Sequence, residues 1–372
     1  MSNLGRSPLH VVADNTSSGP TKLLLTHGAS ARAYHNEGRT PSHLAALFAL
    51  SSGEDIISAL LSGRADLAAR DEEHRTPLHY AAMADSKVTA TLLPRAGSLI
   101  APVDRDGLTP MDLATQAGFA DVLAQLLEHG ANVATTGRAG IHGASRDGVL
   151  WARQHGRNAA QGGRLSGRRR RQGQHACGEA ARRGHELTVQ RLIEAGTSLN
   201  PVNPLQNTPL QRAVLNRWTL AVKALLEAGA DPNVPDEDGD TALTAAVLKV
   251  ADDMVEALLT KAEDGRFKFG VDVNFRNRQG KTALMLAVHT PWLIKPLLDA
   301  GADGSMRDND GRTYLHEMAA RIYLYDAGLF VETAMPGLLT HDKPRRWSCS
   351  GSSTTKDSLR RTSPRDTREP GC

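Results

Sequence analysis

Aromatic residues make up only 4% of this chain, and its apolar content is mostly Ala, Leu and Val. Aromatic side chains supply the largest buried areas in most cores. A chain short of them suits thin, closely packed helical layers better than one wide core. Cysteine is scarce too: Cys177, Cys349 and Cys372 are too few for a disulfide framework and lack metal-ligand spacing. A reducing compartment follows. No apolar run is long enough to span a bilayer, and residues 1–10 lack the apolar stretch of a secretion signal. These absences predict a soluble, intracellular protein, cytoplasmic or nuclear. Neither sign of charge dominates, since the net charge is +3, but the distribution is uneven. Residues 138–171 hold nine arginines and one acid, a net of +8, and residues 336–372 carry a net of +4. Removing both from +3 leaves −9 for the remainder, so an acidic body carries two basic segments.

A short string recurs along this body. Ser7-Pro8-Leu9-His10 is followed by Thr40-Pro41-Ser42-His43, Thr76-Pro77-Leu78-His79 and Thr109-Pro110-Met111-Asp112. Thr208-Pro209-Leu210-Gln211, Thr241-Ala242-Leu243-Thr244, Thr282-Ala283-Leu284-Met285 and Thr313-Tyr314-Leu315-His316 come later. The intervals are 33, 36, 33, 99, 33, 41 and 31 residues, and the longest is three times 33. Each start precedes an Ala-rich helical segment, then a second one ending in paired apolar residues such as Leu92-Leu93 or Leu225-Leu226. A Gly-Ala-Asp or similar string and a Gly-containing turn lead to the next start. The local physics is consistent. Thr caps a helix N-terminus, Pro at the first helical position loses no bond, and Gly after the second helix suits a left-handed residue. One unit cannot bury its apolar face alone, but stacked units share a continuous core.

These residues make the chain resemble the ankyrin repeat family. The stretch from Thr76-Pro77-Leu78-His79-Tyr80-Ala81-Ala82 to Asp104-Arg105-Asp106-Gly107 is similar to the family's full pattern. The resemblance covers roughly residues 5–137 and 175–320. It implies an all-α solenoid of about ten units, each a helix–turn–helix followed by a hairpin-like finger. Thr40, Pro41, His43, Thr76, Pro77, His79, Thr109, Pro110, Thr208, Pro209, Thr241, Thr282, Thr313 and His316 are its structural positions. In the family, the histidine of the string bonds nearby backbone.

Between the two repeat blocks, 5–137 and 175–335, the segment 138–174 departs from the pattern, and 336–372 reads as a disordered Ser/Thr/Arg-rich tail. The register places repeat starts at 142 and 175. The expected Ala-Ala and Gly-His fall on Ala180-Ala181 and Gly184-His185, so spacing survives while the letters do not. A frame slip does this. Read one base forward, Gln174-His175-Ala176-Cys177 can spell Asn-Thr-Pro-Ala, and Gly140-Ile141-His142-Gly143 can spell Gly-Tyr-Thr-Ala. Two compensating frameshifts or a mis-called exon are the first reading. A genuine basic insert is the second, with Arg168 to Arg171 as a nuclear-import signal or nucleic-acid contact. In either case the segment is expected to be poorly ordered. The chain opens inside a repeat, which predicts truncation of a longer product, and residues 321–339 read as a last irregular helix pair.

No catalytic, metal or cofactor signal survives inspection. Gly280-Lys281-Thr282 ends like a phosphate loop, but Phe275 stands where its first Gly must be. The Asp-rich turns lack calcium ligands at Val234, Met306 and Ala245. No Ser-His-Asp or Cys-His constellation is suggested, Cys177 lies in the irregular stretch of the frame slip, and Asn15-Thr16-Ser17 matches a glycosylation site without a secretory route. No cofactor, small-molecule substrate, membrane or nucleic-acid partner is therefore expected, and the chain is read as no enzyme. By resemblance, protein partners bind the finger tips and the exposed face of the first helices. Those positions are Asn36, Arg39, Arg70, Glu72, Arg75, Arg105, Glu237, Asp240, Arg276, Arg278, Lys281, Arg307, Asn309 and Arg312, with Tyr80 and Trp218 on or near first helices. The last fingers are basic and suit an acidic partner segment. The expected function is a non-catalytic interaction scaffold or adaptor. The alternatives are the partner-binding portion of a larger enzyme or signalling protein, or a nuclear regulator using the arginine run.

Overall fold

The computed structural model describes residues 5–15, 18–47, 53–133, 175–203, 205–261 and 267–322. The irregular segment 138–174, with its arginine run and the start at 142, and the tail 336–372 lie outside the described residues. So does all of 321–339 beyond Ile322.

The described chain is a stack of antiparallel helix pairs. The inner helices are α1 (Pro8–Asp14), α3 (Pro41–Leu47), α5 (Pro77–Met83), α7 (Pro110–Ala117), α9 (Ala176–Arg183), α11 (Pro209–Leu215), α13 (Ala242–Leu248) and α15 (Ala283–Leu286). Their outer partners are α2 (Ser18–Thr26), α4 (Gly53–Ser62), α6 (Lys87–Arg95), α8 (Ala120–Glu128), α10 (Glu186–Glu194), α12 (Thr219–Glu227), α14 (Asp252–Leu258) and α16 (Pro291–Asp299). A last helix, α17 (Tyr314–Ile322), closes the stack. Each inner helix packs on the next inner helix. The small residues Ala46, Ala82, Ala114, Ala181, Ala213 and Ala246 sit at 0% exposure in these contacts, which is what lets the backbones approach.

Helices α9 and α10 pack directly on α7 and α8. The sequence register allots a further unit, starting at 142, to the gap between these pairs. The stack leaves no place for it there. The joint is closed by side chains instead: His185 Nε2 lies 3.1 Å from the Gln116 carbonyl, and Arg183 donates to the same oxygen at 3.0 Å. The imidazole covers Gly118, where a Cβ would meet His185 Nδ1 at 2.5 Å. Gly118 has φ +84°, and glycine meets both demands of the position.

The repeated Thr-Pro-Leu-His string is a hydrogen-bond device. The Thr76 N–H donates to His79 Nδ1 at 3.0 Å, and His79 Nε2 lies 3.2 Å from the Leu108 carbonyl of the next unit. A backbone N–H only donates and a carbonyl only accepts, so the imidazole carries its proton on Nε2. His43 repeats this with Thr40 and the Arg75 carbonyl, and His10 with Ser7 and the Arg39 carbonyl. Gln211 replaces the ring: its Oε1 accepts from Thr208 N–H at 2.8 Å, and its Nε2 donates to the Asp240 carbonyl at 2.8 Å. Asp112 accepts from Thr109 N–H at 2.8 Å, but an ionised carboxylate has no proton for a following finger. Thr241 and Thr282 cap α13 and α15 through their hydroxyls. Thr313 N–H donates to His316 Nδ1 at 3.2 Å.

Candidate protein-interaction surface

Each finger is built around one side chain five positions before the threonine. Asp71 Oδ1 accepts the N–H groups of Glu73 and Arg75. Asp104, Asn203, Asp236, Asn277 and Asp308 do the same for the residues two and four positions on. This Asx turn is local and fixes the loop before any partner arrives. Neighbouring fingers are then tied backbone to backbone. Glu72 N–H donates to the Glu37 carbonyl, Arg105 to Glu73, Arg278 to Asp238 and Asn309 to Gln279, at 2.8 to 3.2 Å. Among the described residues the fingers contain no strand. The only β feature is a bridge between Lys261 and Phe267.

Many charged residues expected at the tips are engaged within the molecule. Arg39 pairs with Glu37 at 3.0 Å, and its guanidinium lies 5.4 Å from the Tyr80 ring. Arg75 approaches Asp104 at 3.6 Å, too far for a hydrogen bond, and burial raises the Asp104 carboxyl above the usual range. Arg105 approaches Glu73 at 3.5 Å. Arg70 is exposed and donates to the Val103 carbonyl at 2.8 Å. Lys281 and Arg312 converge on Glu317 at 3.3 and 3.9 Å. Asp240 is buried and accepts from Asn277 Nδ2 at 3.0 Å; burial raises its pKa. Asn36, Glu72 and Glu237 are exposed.

The last two fingers differ. Arg276 donates to the Gly280 carbonyl at 3.2 Å and Arg307 to the Gly311 carbonyl at 2.8 Å. Both bonds are to neutral acceptors and stay within one finger. Arg278 is exposed beside them, and the Asn309 side-chain amide donates to its carbonyl at 2.8 Å. None of these three guanidinium groups enters an ion pair among the described residues.

The two aromatic candidates sit elsewhere. Tyr80 is only 3% exposed; its hydroxyl donates to Asp71 Oδ2 at 2.5 Å and its ring meets His43 edge to face. Burial and that bond push its pKa up to about 12. Trp218 covers Gly184 at the turn between two helices, and its Nε1 donates to the Arg182 carbonyl at 3.2 Å. Tyr80 packs between repeats, and Trp218 packs on Gly184 while staying 38% exposed. The exposed apolar residues on inner helices are instead Val11, Met83 and Leu248. Their positions, four or seven residues after the string's first residue, are a signal the sequence offers once the inner face is known.

A buried charge cluster lies where α9 meets α11. Glu179 and Arg212 are 7% and 6% exposed and 3.4 Å apart, and Glu179 also accepts from Arg182 and Arg183 at 2.6 and 2.7 Å. Burial raises the Glu179 pKa, but the arginine hydrogen bonds and charges outweigh it and hold the carboxyl below its usual value. Cys177 is buried nearby, and its thiol is pushed up to about 12. Among the described residues no group of three or more His, Cys, Asp or Glu could hold a metal, and no helix is long and apolar enough to cross a membrane.

Stacked helix pairs, a tied ridge of fingers and an exposed inner-helix face define a repeat solenoid of the protein-binding class. The family model for ankyrin repeats in three copies matches residues 47–136 and 178–269, so the chain carries ankyrin repeats. The mouse B-cell lymphoma 3 protein homolog is 33% identical over 153 residues, covering 40% of this chain and 34% of that protein. The human B-cell lymphoma 3 protein is 32% identical over the same length, again 40% of this chain and 34% of that protein. The chain thus spans about a third of these curated relatives. The crystal structure of the ankyrin repeat domain of Bcl-3, titled a unique member of the IkappaB protein family, superposes with a TM-score of 0.53. It does so at 20% identity, over 69% of this chain and 99% of that one.

Proposed function

We propose that the chain is a non-catalytic scaffold or adaptor that grips a protein partner along its finger ridge and inner-helix face. The observation that carries this reading is the group Arg276, Arg278 and Arg307. Three guanidinium groups stand on two fingers held together by backbone bonds, and no carboxylate among the described residues pairs with them. A positively charged, pre-organised ridge favours an acidic segment and steers its approach. The exposed Met83 and Leu248 supply apolar contact on the inner helices.

The test is affinity capture with mass spectrometry, comparing the wild-type chain with the triple variant Arg276→Glu, Arg278→Glu and Arg307→Glu. A control, Lys223→Glu, changes an exposed charge on α12. The expected result is a protein captured by wild type and control and lost with the triple variant. Identical capture by all three removes the ridge from the function.

A further inference from the structure

The outer face holds a groove that the repeat pattern does not call for. Consecutive outer helices from α2 to α14 pack closely on one another, whereas α14 and α16 stand apart. The cause is in the sequence. Thr241 and Thr282 are 41 residues apart rather than 33. Helix α14 has seven residues where α6, α8, α10, α12 and α16 have nine. Beyond it, Lys261 and Phe267 pair in an isolated antiparallel bridge. The gap has a volume of about 550 Å³, within the range of roughly 300–1,000 Å³ of ordinary ligand sites.

Its floor is apolar: Val255, Leu259, Leu293 and Pro296. At its edge Trp292 is 55% exposed, and its ring is held in place by a 3.0 Å hydrogen bond from Nε1 to Asp252 Oδ1. The indole is thus oriented yet largely exposed, and no glycine lies beneath it as Gly184 does beneath Trp218. Asp252 and Glu256 lie one turn apart on α14, and no described cation pairs with either. Asp299 on the opposite wall is already matched by Lys295 at 2.6 Å. Lys261 also lines the groove and donates to the Asp299 backbone carbonyl at 3.3 Å, but the two α14 carboxylates outnumber it. The unmatched charge at the rim is therefore net negative and sits beside an aromatic face, an arrangement that favours a cation.

We infer that the groove between α14 and α16 is a docking site for a short basic and apolar peptide segment of a partner protein. Its Lys or Arg head meets Asp252 and Glu256, and its apolar side chains lie on Trp292 and the groove floor. This surface is separate from the finger ridge, so it takes a second partner or a second segment of the same one.

The experiment is fluorescence anisotropy of the full chain with a fluorescein-labelled synthetic dodecapeptide of alternating Leu and Lys/Arg. Saturable binding is expected, weakened at least tenfold by Glu256→Lys and by Trp292→Ala, both exposed and both checked for unchanged melting. Replacing the peptide's Leu by Ser, or its Lys/Arg by Glu, should cost as much. The triple ridge variant should bind like wild type, which separates this site from the ridge. The inference is overturned if the peptide does not bind or if the two groove variants bind within twofold of wild type. It is equally overturned if the Leu-free peptide binds as tightly, because the attraction is then charge alone.

Discussion

His79 is held between two backbone groups of opposite kind, and this decides its chemistry. The imidazole is useful only when neutral, because Nδ1 must accept. Burial pushes His43 and His79 down to about 4. The unfolded value is about 6.5. Above pH 6.5 both states are neutral and the full stability is present. As pH falls from 6.5 to 4 the unfolded chain takes up protons that the native chain refuses, and stability is lost. The loss is on the order of 2–3 kcal/mol per residue. Gln211 does the same structural work without titrating. His79→Gln should therefore keep Tm near wild type at pH 7.5 and shallow the fall in Tm between pH 6.5 and 4.5, measured by circular dichroism. His79→Ala should cost ~2 kcal/mol at pH 7.5, since it strips two buried backbone groups of their partner. An unchanged acid limb in the Gln variant would reject this account.

At the scale of the helix pair, two left-handed glycines separate backbone strain from crowding. Gly229 has φ +92°, and a methyl added there would meet nothing within 4 Å. At Gly184, φ +75°, an added Cβ would run into the Trp218 ring. Gly229→Ala should cost about 1 kcal/mol, from φ alone. Gly184→Ala adds a clash with an indole that is itself hydrogen-bonded, and should cost ~3 kcal/mol. Urea denaturation gives both numbers, and equal losses would mean that Trp218 moves aside freely. Both glycines are visible in the sequence as repeat punctuation. Only the stack shows that one faces solvent and the other a tryptophan from the next unit.

For the whole molecule, stability is a chain of neighbour terms, so a weak joint divides the array. The joint at α9 and α11 has Gly178 in place of the histidine and is held instead by Glu179 with Arg212. Glu179→Ala leaves Arg212 buried without its carboxylate, at a cost of roughly 3–5 kcal/mol. The unfolding curve in urea should then split into two transitions. A single transition at the wild-type midpoint would show that the joint is held by apolar packing alone.

The sequence by itself determined the unit: capped helices, alanine-rich inner faces, paired leucines and glycine turns are local or one-period properties, so the family was legible from spacing. The finger positions were legible for the same reason. Their ion pairing was not, because Arg75 and Lys281 meet carboxylates that the following unit supplies. Tyr80 and Trp218 read as anchors by type, yet Tyr80 is covered by His43 and Arg39 of the preceding unit and Trp218 packs on Gly184 of the unit before its own. Only the tertiary structure decided that α9–α10 seats directly on α7–α8, and that α14 and α16 stand apart across a groove on the outer face. Both depend on how one unit meets its neighbour across space, and periodicity along the chain carries no measure of that contact.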